Sequence, residues 1–397
     1  MRVYLLIMVI AAVVTYLLVP LVLRVALAVG AITQVRSRDV HTVPIPRLGG
    51  LAMYLGLVVA CLIASQIPYL HEVFRASSQA WAILIGAGIM CLVGIIDDIW
   101  ELRWYAKLAG EVLAAGVMAW QGVQLLSVPI FGLTVGSSRL SLFTTIIVVV
   151  LVANAVNFVD GLDGLAAGVV GIAAFAFFGY SYYLTRMVNP GDYTSVATAV
   201  VAALVGICLG FLPHNFHPAR IFMGDSGALM LGAVIAGASI VVTGQIDPQN
   251  TNTVNAVPAF MPLLIPAAIL VIPLVDLVWA VFRRLRQGRS PFSADAGHLH
   301  HRLLRRGHSH VAAVMVLYMW TAIASFSAVA YILVPEVWLL IPIALAVVGG
   351  VVVTRRQFSR KPADVVKAGP AGALLDAAAN AESEREAAAT DAPAPTR

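Results

Sequence analysis

The chain has 397 residues, of which 60% are hydrophobic and 11% charged, with a mean hydropathy of +0.90 and a formal net charge of +5. A soluble globular domain carries about a quarter charged residues, so a water-soluble multidomain enzyme is excluded. Apolar runs long enough to cross a hydrocarbon core of roughly 30 Å recur along nearly the whole sequence, as in a polytopic membrane protein.

Eleven apolar segments follow one another: Val3–Ala28, Leu48–Ile67, Ala80–Ile96, Tyr105–Gln121, Ser141–Val156, Leu165–Leu184, Val196–Leu212, Ala228–Val242, Val257–Phe282, Val311–Leu333 and Val337–Val353. In lipid each must be helical, because unpaired backbone amides there cost several kcal/mol apiece. The fold class is therefore an all-α polytopic integral membrane protein of about eleven transmembrane helices. The first segment is apolar for too long, and lacks a small-residue cleavage site, to be a removable signal. Cys61, Cys91 and Cys208 all fall inside apolar segments and read as small buried hydrophobes.

With eleven crossings, alternate connections share a face. Only Arg2, Arg75, Arg139 and Arg186 of the 25 Lys and Arg lie on one side; the rest, including Arg36, Arg38, Arg47, Arg220 and the 283–306 cluster, lie on the other. By the positive-inside rule the N-terminus is outside and the C-terminus cytoplasmic. Residues 1–354 are expected to form one transmembrane domain, with cytoplasmic loops 30–47, 97–104, 157–164, 213–227 and 283–310. The tail, 355–397, is Ala-rich with mixed charge and no apolar face, which predicts disorder.

The acidic residues reach that same cytoplasmic face. Asp97 and Asp98 end the third span, where negative charge opposes the helix dipole and needs a compensating partner. Lys107 opens the fourth span, with Glu111 one turn on as its expected ion-pair partner. Asn157, Asp160 and Asp163 follow in NAVNFVDGLDG; the two aspartates either cap the sixth span or, beside Gly161 and Gly164, face a closely approaching ligand. Asp225, in FMGDSGALM, opens the eighth span, either as a plain cap or where a helix N-terminus favours phosphate. A hard cation such as Mg²⁺ takes one or two carboxylate or amide oxygens plus substrate phosphates, a role that Asn157 and Asp225 would serve. Asp276 is costly deep in the ninth span, and its role is left open. Asp295, His298, His300, His301 and Arg302 follow in the longest polar loop; the cluster is either a plain basic loop or, better, a contact for a phosphate or diphosphate.

Four ordered motifs carry a resemblance: Asp97-Asp98 with Lys107, the block Asn157 to Gly164, the block Phe222 to Gly227, and His298-Leu299-His300-His301. Over roughly residues 30 to 310 the sequence resembles the polyprenyl-phosphate N-acetylhexosamine-1-phosphate transferases. The resemblance implies transfer of GlcNAc-1-phosphate from UDP-GlcNAc to a polyprenyl phosphate (undecaprenyl or decaprenyl), releasing UMP at the bacterial plasma membrane, as the first membrane step of a cell-envelope polysaccharide or linker. It implies Mg²⁺, with Mn²⁺ as the alternative ion, on Asn157 and Asp225. It assigns catalytic roles to Asp97, Asp98, Asp160 and Asp163, and substrate binding to Lys107, His298, His300, His301 and Arg302. The implied partners are both substrates and the bilayer, with a homodimer as an option and no nucleic acid.

The peptidoglycan relative, which transfers phospho-MurNAc-pentapeptide, is the alternative. Its loop carries three consecutive histidines and then a Glu. Here Leu299 interrupts the run and Arg302-Leu303-Leu304 follows, which points to the smaller sugar. An ion-coupled transporter would place carboxylates near the bilayer midplane on broken helices, whereas here most acids sit at span ends.

Overall fold

The computed structural model describes residues 1–32, 45–125, 137–188, 195–244, 307–333 and 337–355, with isolated pairs at 129–130, 133–134, 278–279, 281–282, 285–286 and 303–304. The major described elements are α1 (Arg2–Val29), α2 (Gly49–Gln66), α3 (Pro68–Ala76), α4 (Gln79–Trp100), α5 (Trp104–Trp120), α6 (Ser138–Val159), α7 (Leu165–Val188), α8 (Val196–Asn215), α9 (Gly224–Gly244), α10 (His310–Leu333) and α11 (Leu340–Arg355). A single 3₁₀ turn, Val337–Leu339, precedes α11, and an antiparallel pair of two-residue strands, Pro129–Ile130 and Leu133–Thr134, lies between α5 and α6.

Eight of these helices are long and apolar enough to cross a membrane. The shorter α5 rises about 25 Å over its 17 residues, bracketed by exposed Trp104 and Trp120 of the kind that sit at membrane interfaces. The nearly all-helical, multi-pass membrane architecture is as expected. Ten of the eleven expected spans correspond to described helices. The ninth, Val257–Phe282 with Asp276, lies outside the described residues apart from two isolated pairs, as do Asp295, His298, His300, His301, Arg302 and the tail from 356.

The element not anticipated is α3. Pro68 occupies its first turn, where a missing N–H costs nothing. Leu70 and Phe74, one turn apart, are buried while His71, Glu72 and Arg75 are exposed. This short amphipathic helix connects α2 to α4 at the end of the bundle away from Asp97.

Helices α8 and α9 are almost wholly enclosed, packed among α1, α2, α4, α6 and α7, whereas α1 and α10 keep broad apolar faces outward. Close approach at α9 is bought with glycine. A Cβ on Gly94 of α4 would overlap the backbone of Asp225 and Ser226, and one on Gly50 of α2 would overlap Gly227. These contacts bring the C-terminal end of α4 and the N-terminal end of α2 onto the first turn of α9. Overpacking a tight contact costs about 1–3 kcal/mol. Gly94→Val should therefore lower the melting temperature in detergent markedly, whereas Gly179→Ala, where a Cβ meets nothing within 4 Å, should not.

Candidate active site

The chain reversals of α4, α5, α6 and α9 put Asp97, Lys107, Asn157 and Asp225 at one end of the bundle, where their side chains meet. Lys107 Nζ donates to Asp97 Oδ2 at 3.0 Å and makes a tight ion pair with Asp225 Oδ2. The Asn157 amide lies between them. With its nitrogen toward Asp225 Oδ1 and its oxygen toward Lys107 Nζ, both contacts are 3.1 Å. Oxygens from three helices thus converge on one cationic group. Asp97 is itself fixed by the Leu102 N–H, which donates to Oδ1 at 2.7 Å just past the end of α4.

Asp98 does something different. Its side chain is fully buried and accepts from the Asp225 N–H at 3.0 Å and the Ser226 N–H at 3.1 Å. Arg47 Nη1 approaches its Oδ1 at 3.9 Å. The first-turn N–H groups of α9, read from the sequence as either a plain cap or a phosphate-favouring terminus, are therefore engaged by an internal carboxyl. Gly224 makes this possible, with φ +70 and no room for a Cβ beside the Asp98 carboxyl. The unfavourable end of the α4 dipole is offset by the favourable end of the α9 dipole.

One turn deeper from Lys107 and Asn157, buried Glu111 accepts from Asn154 Nδ2 at 2.5 Å. The expected Lys107–Glu111 ion pair is thereby corrected. Among the described residues Lys107 pairs with Asp97 and Asp225, and Glu111 ties α5 to α6 instead. Asn154 was not singled out by the sequence reading, although it opens an Asn-x-x-Asn-x-x-Asp-x-x-Asp spacing that ends at Asp163.

Asp160 ends α6, its N–H bonded to the Asn157 carbonyl at 3.2 Å. Loss of solvation, then the negative charges of Asp225 and Asp98, push its carboxyl up to about 8. An acid whose folded value lies above its unfolded value of about 3.9 loses stabilisation as pH rises between the two. In chelator, the melting temperature of the wild-type chain should thus fall as pH rises from about 4 to about 8, and Asp160→Asn should flatten that fall.

Asp163 lies in the same turn but is held elsewhere. Its Oδ2 accepts from His217 Nδ1 at 2.7 Å and from the Ala219 N–H at 3.1 Å. Neither His217 nor Ala219 was singled out by sequence, because 54 or more residues separate them from Asp163.

The donor set around Lys107 tests the expected metal. Asp97, Asn157 and Asp225 offer only oxygen atoms, on the side where they already enclose a positive charge. Hard oxygen donors in this number suit Mg²⁺, which keeps further positions for water and phosphate. The residues fit the ion. Exposed Trp100, Trp104 and Tyr105 flank the cluster in sequence, aromatic side chains of the kind enriched at membrane interfaces.

Comparison with known proteins places the chain in a family. The glycosyl transferase family 4 profile matches residues 80–243, the stretch that runs from α4 through α9. A decaprenyl-phosphate N-acetylglucosaminephosphotransferase of Mycolicibacterium smegmatis is 40% identical over 363 residues, covering 89% of this chain and 88% of its own length. The protein of that name from Mycobacterium leprae is 42% identical, covering 80% of this chain and 81% of its own. An undecaprenyl-phosphate alpha-N-acetylglucosaminyl 1-phosphate transferase of Yersinia pestis is 28% identical over 76% of each chain. With matches of this extent, and a site built from the helices the family profile spans, the chain belongs to glycosyl transferase family 4.

Proposed function

We propose that this membrane enzyme transfers GlcNAc-1-phosphate from UDP-GlcNAc to a polyprenyl phosphate, giving polyprenyl-diphosphate-GlcNAc and UMP. The convergence of Asp97, Asn157 and Asp225 on Lys107 is the observation that carries this reading. The names of relatives at about 40% identity support the lipid acceptor and the sugar. The asymmetry of Lys and Arg supports a site on the cytoplasmic side of the bacterial plasma membrane, where a soluble donor and a lipid-dissolved acceptor can both reach it.

In this reaction an oxygen of the lipid phosphate attacks the β-phosphorus of the donor. The bond from that phosphorus to the bridging oxygen breaks, and UMP leaves with that oxygen. The sugar C1–O bond is untouched, so its configuration is retained. Two anions must approach, so the protein's contribution is charge neutralisation and alignment. Asn157 and Asp225 would hold Mg²⁺, which when bound neutralises and polarises the diphosphate. Lys107, fixed between Asp97 and Asp225, supplies a second positive charge within reach of the same phosphates. Asp97 orients the acceptor: an ordinary aspartate is a weak base at neutral pH, but a phosphate monoester loses its second proton near pH 6 and needs little help. Asp98 serves by fixing the first turn of α9, and so Asp225.

The test is product identity. Purified protein offered UDP-GlcNAc, UDP-GalNAc or UDP-MurNAc-pentapeptide with polyprenyl phosphate and Mg²⁺ should yield lipid product and UMP with UDP-GlcNAc, and EDTA should abolish turnover. Preference for the pentapeptide donor would transfer the chain to the alternative reading; EDTA-resistant turnover would remove the metal.

A further inference from the structure

Glu111 is a carboxyl buried in a membrane-crossing helix, 1% exposed, and it stands outside the charge neutralisation around Lys107. An ionisable side chain at such a position is costly and faces a partner inside the bundle. Here the partner is Asn154 on α6. Its Nδ2 donates to Glu111 Oε2 at 2.5 Å and to the Val150 carbonyl, one turn back, at 3.0 Å. Both N–H bonds of that amide are therefore committed, which fixes its orientation.

The spacing gives the pair its significance. Lys107 and Glu111 are one turn apart on α5, and Asn154 and Asn157 are one turn apart on α6. The two helices thus share two polar rungs. The upper joins Lys107 Nζ to the Asn157 amide oxygen at 3.1 Å; the lower, one turn deeper, joins Glu111 to Asn154. The upper rung belongs to the candidate active site. The lower lies outside it and fixes how α5 is rotated against α6. The neighbouring Gly110 seats α5 as closely on α4, since a Cβ there would come within 2.5 Å of Val93 Cγ2. Helix α5 is therefore held between α4, which carries Asp97, and α6, which carries Asn157.

We propose that Glu111 is a positioning residue for phosphoryl transfer. By holding Asn154 it sets the register of α5 on α6, and with it the placement of Lys107 and Asn157 around the divalent ion. The inference rests on the reading of Asn157 and Asp225 as ligands of that ion. What Glu111 contributes is an acceptor oxygen at the right reach, and its charge is incidental. A glutamine offers the same oxygen to Asn154, whereas a leucine offers none and an aspartate falls short. Partners that orient metal ligands from outside the coordination sphere are commonly worth about 10- to 100-fold in metal affinity or activity.

The test compares Glu111→Leu, Glu111→Gln, Asn154→Asp and the exchange Glu111→Gln/Asn154→Asp in the full-length protein. Two readouts are taken separately: binding of Mn²⁺ alone, followed by loss of its free-ion electron paramagnetic resonance signal, and UMP release from UDP-GlcNAc with polyprenyl phosphate. Glu111→Leu should weaken Mn²⁺ binding and lower kcat by about 10-fold or more, with KM for UDP-GlcNAc little changed. Glu111→Gln should keep both near wild type. Asn154→Asp sets two carboxyls face to face and should lose both; the exchange puts an amide opposite a carboxyl again and should recover both well above Asn154→Asp. A merely structural role would lower the melting temperature of Glu111→Leu without moving its Mn²⁺ affinity. Wild-type Mn²⁺ affinity and kcat in Glu111→Leu, a Glu111→Gln chain as impaired as Glu111→Leu, or an exchange no better than Asn154→Asp would overturn the proposal. Should Glu111→Leu fail to fold, Glu111→Asp decides: weakened Mn²⁺ binding supports the assignment, and unchanged binding refutes it. Absence of lipid product from UDP-GlcNAc with the wild-type chain would sink the transferase reading alone, because the Mn²⁺ comparison needs no donor.

Discussion

Asp225→Asn should reduce UMP release from UDP-GlcNAc by about 10³-fold or more while the chain stays folded, because it removes a charged ligand from the point where diphosphate charge is neutralised. Asp225 contacts both Lys107 and Asn157 and is part-exposed, so the substitution leaves no large buried void. Lys107→Met should lose activity comparably, since it leaves Asp97 and Asp225 facing one another with no protein cation between them. Turnover is measured with a lipid phosphate in detergent, and folding by melting temperature. If Asp225→Asn retains a tenth of wild-type activity, the residue is not a metal ligand.

Asp98→Asn should also abolish most activity, but with a different signature. Its buried carboxyl accepts two N–H bonds from the first turn of α9. An amide there has one oxygen to offer and points an NH₂ at a backbone donor. Losing such a charge-assisted bond and leaving a buried donor opposed costs about 2–4 kcal/mol. Asp98→Asn should thus lower both the melting temperature and the activity, whereas Asp225→Asn should lower the activity alone. An Asp98→Asn chain as stable as wild type but inactive would make Asp98 a reacting group instead of a scaffold.

Much of the architecture was legible because membranes impose it. Helices that cross lipid must be apolar and continuous, so the described spans were found by length alone, with ends displaced by a few residues. Helix α3 escaped because nine residues with two buried side chains, Leu70 and Phe74, make no hydropathy signal. The meeting of Asp97, Lys107, Asn157 and Asp225 followed from parity: residues at span ends on one face, in a closely packed bundle, converge. Which atom each carboxyl serves did not follow. Asp97 and Asp98 are adjacent in sequence, yet one is turned toward Lys107 and the other caps α9, a choice set by the glycine contacts that seat α4 on that helix. Glu111 was assigned to Lys107 on helical spacing, but a facing amide on α6 competed for it. The Asp163–His217 pair joins two distant segments, and spacing carries no signal of such a meeting.

The central claim is that Asn157 and Asp225 share one divalent ion at the substrate diphosphate. An experimental structure of the chain with UDP-GlcNAc and Mg²⁺ tests it most directly. The account predicts an ion about 2.0–2.2 Å from an oxygen of each residue and of the donor diphosphate; an ion seated instead on Asp160 or Asp163, with Asp225 still closed on Lys107, would contradict it.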